Sequence, residues 1–248
     1  MTDRSWLRRL AGRFLVFEGP DGSGKSTQFA RLAAALREVG VPVREVREPG
    51  GTAIGERIRE VLLDPENADM NVRCEMLLYM ASRAQLMEQV VRPALAAGET
   101  VLADRFIAST LAYQGAAGGL DSASITAVAR VAVGRTWPEL NLLFDVDERT
   151  AAGRLNPLLD RMERKGAEFH RRVREGYHRQ AEADPTRWAV IDATRSVDEV
   201  TEAMMAALRG RFGGGGDASA GHPPTRIFVR RAGEGTSPSS PSSAGPVG

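Results

Sequence analysis

The sequence has little cysteine, little net charge and no long apolar run. Its 248 residues include one cysteine, Cys74, so no disulfide can form within the chain, and we expect this thiol to be packed inside a protein of a reducing compartment. The 33 Lys and Arg residues nearly match the 32 Asp and Glu residues, which gives no global reason to expect nucleic acid or an anionic membrane as a partner. The short apolar stretch 14–17 ends at Glu18, which predicts neither a signal peptide nor a membrane span. We therefore expect a cytoplasmic protein.

What the sequence does contain is a regular alternation of strand-like and helix-like segments. Apolar, β-rich runs occupy residues 14–17, 43–46, 100–103, 140–146 and 188–191. Helical periodicity occupies residues 25–38, 54–63, 73–97, 122–133, 167–183 and 197–209. Strands that alternate with helices predict an α/β fold with a five-stranded parallel sheet flanked by helices.

The two ends of the chain differ from this core. Residues 1–12 form an N-terminal extension, in which Trp6, Leu7 and Leu10 have helical spacing and could pack on the body. Residues 213–248 are rich in Gly, Pro and Ser and are predicted to be a disordered tail, because they hold too little apolar surface to fold. Within the tail, residues 226–231 are either a docking peptide or part of an inert segment. The folded domain is therefore predicted to span residues 13–212.

The strongest local pattern is a glycine-rich motif between the first strand and the first helix. Its residues match G-x-x-x-x-G-K-[ST]: Gly19, Pro20, Asp21, Gly22, Ser23, Gly24, Lys25, Ser26 and Thr27. The glycines let successive backbone N–H groups point at phosphate oxygens, and the helix N-terminus adds partial positive charge. Lys25 is predicted to reach the β- and γ-phosphates, and the Ser26 hydroxyl to coordinate Mg²⁺. The motif predicts a P-loop NTPase fold that binds a nucleoside triphosphate, and it leaves the reaction open.

Acidic and basic residues follow the third predicted strand. Because ligands bind at the carboxyl ends of parallel strands, Asp104 could hold the magnesium shell and Arg105 could bridge phosphates. The alternative is an ordinary surface pair. Ser109, Thr110, Tyr113 and Gln114 come soon after and could converge on a base and a sugar, although Tyr113 alone is typical of the edge of a core.

A second aromatic residue lies one helical turn from an arginine. Tyr79 and Arg83 are spaced i, i+4 in the third helical segment, so they share a face. A ring beside a guanidinium suits a flat base with carbonyl oxygens. The alternative is a half-buried stripe with an exposed arginine.

Taken in order, these motifs resemble one enzyme family. The segments FEGPDGSGKST, REPGGT, EMLLYMASR, DRFIAST, LAYQG and DRME occur with the order and approximate spacing of the thymidylate kinase family, over residues 13–210. The resemblance implies transfer of the γ-phosphate of ATP to dTMP, giving dTDP and ADP, with Mg²⁺. It also implies a homodimer and a mobile lid at about residues 152–166, with ATP and dTMP as the partners.

The resemblance also implies roles for the residues around the phosphates. Residues 19–27 would hold the ATP phosphates, and Asp21 would face the sugar and phosphate of the monophosphate. Glu48 would lie beside the substrate phosphate and a magnesium-bound water. Arg59 and Arg105 would grip the dTMP phosphate.

The base and the sugar have their own set of implied contacts. Tyr79 would stack on thymine, and Arg83 would hydrogen-bond a thymine carbonyl. Thr110 and Gln114 would complete base recognition. Tyr113 would crowd the ribose 2′ position and favour the deoxy sugar.

Two departures from the family pattern affect the predicted catalytic residues. The phosphate loop has Ser23 where one class of relatives has arginine, so a lid arginine must supply the positive charge; Arg154 and Arg161 are the candidates, and we favour Arg154. Tyr79 replaces the commoner Phe, and stacking should be retained because the ring face is similar. The segment 193–195, which includes Arg195, would line the adenine.

Two alternatives to this function remain at the level of sequence. The first is a kinase for another nucleoside monophosphate. The second is a catalytically impaired, nucleotide-binding regulatory protein, because the predicted lid is poor in arginine and the tail is long. The apolar residues Met76, Leu77 and Met80 could form a dimer face, but packing in the core explains them equally well.

Overall fold

A five-stranded sheet forms the centre of the protein. The computed structural model describes residues 4–154, 161–162 and 165–214. Its strands are β1 (Phe14–Glu18), β2 (Val43–Arg47), β3 (Thr100–Asp104), β4 (Leu140–Asp145) and β5 (Trp188–Asp192). All pairings are parallel, in the order β2-β3-β1-β4-β5. The predicted α/β fold with five parallel strands is confirmed.

Helices connect the strands, and most of them begin and end close to the predicted residues. In chain order they are α1 (Lys25–Glu38), α2 (Ala53–Leu63), α3 (Val72–Leu86), α4 (Arg92–Ala96), α5 (Ile107–Thr110), α6 (Ser122–Val133), α7 (Glu148–Ala152), α8 (Ala167–Ala183) and α9 (Val197–Phe212). Polar side chains fix several of the starts. Thr52, Asn71 and Asp121 accept hydrogen bonds from first-turn N–H groups, and Ser196 and Glu199 cap α9 reciprocally.

The two faces of the sheet bury separate apolar cores. Phe14 and Val16 of β1 belong to one core, and Leu15 and Phe17 belong to the other, because successive side chains of a strand point to opposite faces. The first core also contains residues of α3 and α6, and the second contains residues of α1 and α9. A short 3₁₀ helix, Ser5–Leu10, closes the second core. Its residues Leu7 and Leu10 are fully buried, which confirms their predicted packing on the body.

Three local features differ from the predictions. The helix predicted over residues 73–97 consists of α3 and α4 joined by a wider π-helical turn, Met87–Val91. A second π-helical turn, Leu111–Ala117, follows α5 and carries Tyr113 and Gln114, whereas Thr110 is the last residue of α5. The prediction that Cys74 is buried is wrong: it is exposed, because α3 turns the face that carries Glu75, Met76 and Met80 inward.

The sheet order brings the two predicted phosphate motifs to one edge. β1 lies between β3 and β4, and Phe17 pairs in register with Asp104. The glycine-rich loop that follows β1 and the Asp104–Arg105 pair therefore leave the sheet side by side. No helix in the described ranges is both long and apolar enough to cross a bilayer. Residues 155–160 and 163–164 of the predicted lid, and the predicted tail from residue 215, lie outside the described residues.

Candidate active site

The glycine-rich loop turns tightly between β1 and α1. Gly24 precedes α1 in a left-handed conformation, with φ of +82°, which a residue without a side chain adopts at little cost. Gly22 has φ of +76°, and a Cβ built on it would lie 2.3 Å from the carbonyl oxygen of Ala151. The loop thus packs directly against the backbone of α7, and a larger residue would push the two apart.

Lys25 is buried and folds back over the loop. Its side chain is 6% exposed, and its ammonium donates to the carbonyl oxygens of Gly19 at 2.9 Å and Pro20 at 2.8 Å. Burial and the charge of Arg105 lower the pKa of Lys25 to about 8, against the opposing effect of nearby carboxylates. The ammonium thus donates to carbonyl oxygens of the loop itself, and a bound phosphate would replace these oxygens as its hydrogen-bond acceptor.

Arg105 meets the same loop from β3. Its guanidinium donates to the Gly19 carbonyl oxygen at 3.1 Å and to Asp21 Oδ1 at 2.6 Å, and it lies 5.3 Å from the centre of the Tyr113 ring. Burial would raise the pKa of Asp21, but the charges of Arg105 and Lys25 lower it to about 2. The backbone of Arg105 has φ of +68°. Lys25 and Arg105 therefore donate to the same carbonyl oxygen, that of Gly19.

An open cleft lies beside these two cations. All nine residues predicted to bind the acceptor line it: Asp21, Glu48, Arg59, Tyr79, Arg83, Arg105, Thr110, Tyr113 and Gln114. Ser109, which precedes Thr110, also lines it, and the sequence prediction missed the remaining lining residues: Pro49, Leu63, Phe106 and Met162. The structure thus gathers the predicted acceptor set at one place, and the individual roles stay predictions.

A buried ion pair forms the back of the cleft. Arg83 is 1% exposed; its Nε donates to Glu48 Oε2 at 2.7 Å, its Nη2 lies 2.5 Å from the same oxygen, and Nη2 also donates to Thr110 Oγ1 at 3.3 Å. Burial raises the pKa of Glu48 to about 7, although Arg83 opposes the shift. Glu48 Oε1 is buried and has no hydrogen-bond partner within the described ranges. Arg59 lies nearby and donates to the Pro49 carbonyl oxygen at 3.0 Å.

The other predicted arginines lie at two separate places. Arg154 donates to the carbonyl oxygen of Ala193 at 2.9 Å, and Arg195 to Asp192 Oδ2 at 3.1 Å, so both lie at the segment predicted to line adenine. Arg161 is buried, donates through Nε to the Leu62 carbonyl oxygen at 2.8 Å and contacts a carboxylate, Glu75, through Nη2. Arg154 and Arg161 therefore have different surroundings, and the choice of Arg154 as the catalytic arginine stays a prediction.

The donor set at this edge fits a magnesium ion held mainly by substrate oxygens. Asp104 Oδ1 is buried without a hydrogen-bond partner among residues that the structure describes, and Ser26 is exposed in the first turn of α1. The described residues contain no cluster of three or more His, Cys, Asp or Glu side chains that could hold a metal. Mg²⁺ usually keeps several waters and binds one or two protein ligands with substrate phosphates, so these two residues suit it.

The sequence prediction missed a buried polar network behind Arg105. Glu18 Oε2 accepts hydrogen bonds from Ser109 Oγ at 2.7 Å and Tyr177 Oη at 3.0 Å, and Oε1 accepts from the Phe106 N–H at 2.9 Å. Arg105 Nη1 lies 3.3 Å from Ser109 Oγ and 3.4 Å from Tyr177 Oη. Burial raises the pKa of Glu18, against the hydrogen bond from Ser109 and the charge of Arg105. The sequence signal for this network was Glu18, a carboxylate at the end of the otherwise apolar strand β1.

Comparisons with known proteins agree with this site. The family model for thymidylate kinase matches residues 17–204. The thymidylate kinase of Deinococcus radiodurans is 48% identical over 204 residues, covering 81% of this chain and 98% of its own. That of Thermomicrobium roseum is 45% identical over 198 residues, covering 79% of this chain and 93% of its own. A crystal structure of thymidylate kinase from Ehrlichia chaffeensis superimposes with a TM-score of 0.66 at 32% identity, over 81% of this chain and 98% of that one.

The family predicted from the motifs is therefore confirmed by sequence and by fold. The matched segment includes the glycine-rich loop from Gly19, the acceptor cleft and α8. This chain belongs to the thymidylate kinase family.

Proposed function

We propose that this chain transfers the γ-phosphate of ATP to dTMP, giving ADP and dTDP, in the cleft beside the glycine-rich loop. The observation that carries the proposal is the convergence of Lys25 and Arg105 on the Gly19 carbonyl oxygen, at 2.9 and 3.1 Å, beside the cleft that the predicted acceptor-binding residues line. Two phosphate chains that meet at this point lie end to end. Phosphoryl transfer needs little more than such placement and neutralised charge.

On the ATP side, the loop residues 19–27 hold the phosphates through backbone N–H groups. Lys25 leaves the carbonyl oxygens of Gly19 and Pro20 for the β- and γ-phosphates, which are stronger acceptors because they are charged. Arg154 and Arg195, at the end of β5, lie beside the adenine. Of the two candidate catalytic arginines, Arg154 is the one on this side.

On the acceptor side, the buried charges are arranged from phosphate to base. Arg105 and Arg59 bind the dTMP phosphate, and Arg105 exchanges its contact with Asp21 for that phosphate. Tyr79 stacks on thymine, while the buried guanidinium of Arg83, held by Glu48, reaches a thymine carbonyl. The rigidity of this pair favours a planar base, since a guanidinium fixed by a carboxylate presents its remaining donors in one direction.

In the transfer step, a phosphate oxygen of dTMP attacks the γ-phosphorus, and ADP leaves. Lys25 and Arg105 stabilise the charge that spreads over the equatorial oxygens. A magnesium ion, when bound at Ser26 and Asp104, would neutralise charge on the phosphate oxygens. The acceptor phosphate is already ionised at neutral pH, so the residues need to orient it rather than to deprotonate it.

Assembly and location belong to the same proposal. Large apolar side chains are exposed on the adjacent helices α2 and α3: Ile54 at 52%, Val61 at 44% and Leu77 at 53%. Such a patch suits burial in a homodimer, whereas Met76 and Met80 pack in the core. Light scattering after size exclusion should therefore give twice the chain mass, and the mass of one chain would contradict it. The unpaired, exposed thiol of Cys74 suits a reducing compartment, which we take to be the cytoplasm.

The activity is tested with the purified full chain by coupled detection of ADP. We expect ADP release that depends on added dTMP and exceeds that with dAMP, dGMP or dCMP. ADP release that is the same with and without any monophosphate, or faster with another one, would refute the assignment.

Arg105→Ala tests the placement of the acceptor within the same assay. We expect KM for dTMP to rise by about 10-fold to 100-fold, because a charge-assisted phosphate contact contributes roughly 1.5–3 kcal/mol, while KM for ATP changes little. Arg44→Ala is the matched control, since Arg44 pairs with Glu99 at the surface of the opposite end of the sheet. Unchanged constants for dTMP in Arg105→Ala would remove Arg105 from the mechanism.

A further inference from the structure

A second buried carboxylate, Glu75, lies beside the cleft. It is 1% exposed and stands in the first turn of α3, one and two helical turns before Tyr79 and Arg83, so the three side chains share a face. Three polar groups surround it. Gln114 Nε2 donates to Glu75 Oε1 at 2.6 Å, Arg161 Nη2 contacts Oε2, and Lys165 Nζ lies 3.6 Å from Oε2.

The contact with Gln114 has a chemical consequence. A carboxylate accepts hydrogen bonds and donates none, so the NH₂ side of the Gln114 amide must face Glu75. The carbonyl oxygen of the amide then lies on the other side of the amide group. Gln114 is 1% exposed and lines the cleft, so the orientation of its amide decides whether an acceptor or a donor is offered to a base.

Arg161 and Lys165 explain why Glu75 holds its own orientation. Arg161 is tied to α2 through the Leu62 carbonyl oxygen at 2.8 Å, and it contacts one carboxylate oxygen while Gln114 contacts the other. Rotation of the Glu75 carboxylate would break both contacts at once. The orientation of the amide is thus fixed by three charged groups that hold one another: Glu75, Arg161 and Lys165.

We propose that Glu75 is a positioning residue for base selection, which holds Gln114 so that its carbonyl oxygen is offered to the base. This inference rests on the proposed function. Thymine and uracil carry a hydrogen-bond donor at N3, whereas cytosine carries an acceptor there. A fixed acceptor therefore favours thymine and places two acceptors opposite each other when cytosine enters, which leaves buried polar groups unpaired.

The test compares kcat/KM for dTMP with kcat/KM for dCMP in the wild type and in Glu75→Gln. The new amide can either donate or accept, so the Gln114 amide is free to turn over. We expect the ratio of the two constants to fall by about tenfold or more. Glu88→Gln is the matched control, because Glu88 pairs with Arg92 one turn away on the protein surface, and its ratio should equal that of the wild type.

A reversed pair separates positioning from simple support of the fold. In Glu75→Gln combined with Gln114→Glu, the amide at 75 donates to a carboxylate at 114, which again offers an acceptor to the base. We expect the preference for dTMP to return. If Glu75 served only to anchor Arg161, the single variant would lose activity equally with both monophosphates, and its ratio would stay within twofold of the wild type; that result would overturn the proposal.

A second variant covers the case in which Glu75→Gln does not fold. Glu75→Asp keeps the charge beside Arg161 and withdraws the carboxylate from Gln114 by one methylene, so the ratio should fall in the same direction. An unchanged ratio in this variant overturns the proposal as well. The wild-type assay separates failure of the proposed function from failure of this inference. A wild type that does not phosphorylate dTMP contradicts the function itself, whereas an unchanged ratio of the two constants contradicts only the role of Glu75.

Discussion

Replacing Tyr177 with Phe removes a single oxygen from the buried network behind Arg105. Tyr177 is 0% exposed, and its hydroxyl lies 2.7 Å from Ser109 Oγ and 3.0 Å from Glu18 Oε2. Phe keeps the ring, so the apolar packing is retained and the change is confined to the polar contacts. A buried group that loses its partner costs about 1–3 kcal/mol, and we expect the free energy of unfolding to fall by that amount.

The fall is measurable by thermal unfolding. For a folded region of this size, each kcal/mol lowers Tm by roughly 2–4 °C, so we expect a decrease of about 2–12 °C by circular dichroism or calorimetry. Urea unfolding of the same samples should give the change in free energy directly, with an unchanged m-value, because the surface exposed on unfolding is the same.

Tyr113→Phe is the matched control. The Tyr113 hydroxyl is also buried, but it has no hydrogen-bond partner among the described residues, and Arg105 lies over the ring face. Removing an unpaired hydroxyl leaves no new unsatisfied group, so Tm should stay the same or rise. Equal destabilisation by the two substitutions would refute the view that hydrogen bonds to Glu18 and Ser109 stabilise the region behind Arg105.

Two further predictions concern the glycine-rich loop. Burial and the charge of Arg105 lower the pKa of Lys25 to about 8, so kcat/KM for ATP should be highest below pH 8 and should fall as the free enzyme loses the proton on Lys25. The variant Lys25→Arg stays charged through this pH range. A fall near pH 8 that persists in this variant would assign the titration to another group. Gly22→Ala should lower the free energy of unfolding, measured with urea, by about 1–3 kcal/mol more than Gly40→Ala does. Both glycines have φ near +80°, but only at Gly22 would the new Cβ meet a carbonyl oxygen, that of Ala151 at 2.3 Å. Equal losses in the two variants would show that the loop can move away from Ala151.

The strands and the loop could be predicted because their signals are local. The run Phe14–Glu18 is apolar up to its last residue, and the glycines and Lys25 follow at fixed offsets. The start of α9 is equally local, because Ser196 and Glu199 cap it within three residues. Each of these features depends on neighbours in the chain, so one sequence suffices to predict them.

The partners of the buried charges could not be predicted in the same way. From its helical spacing, Arg83 could equally have been an exposed arginine, yet it is 1% exposed and pairs with Glu48, 35 positions away. Glu75 and Arg161 are 86 positions apart. Such pairs form only when separate elements meet, and local periodicity holds no information about which carboxylate faces which guanidinium. The exposure of Cys74 was missed for a related reason, since an apolar-rich stretch does not reveal which face of a helix turns outward.

The left-handed backbone of Arg105 links heat resistance to turnover at a single position. A side chain at φ of +68° lowers the stability of the folded protein by roughly 1–2 kcal/mol, because its Cβ crowds the backbone, whereas glycine adopts this φ without that loss. Selection for a more heat-resistant enzyme would therefore favour glycine there, and the same exchange would remove the guanidinium that we propose binds the acceptor phosphate. On this proposal, the chain keeps the side chain of Arg105 at the expense of some resistance to heat.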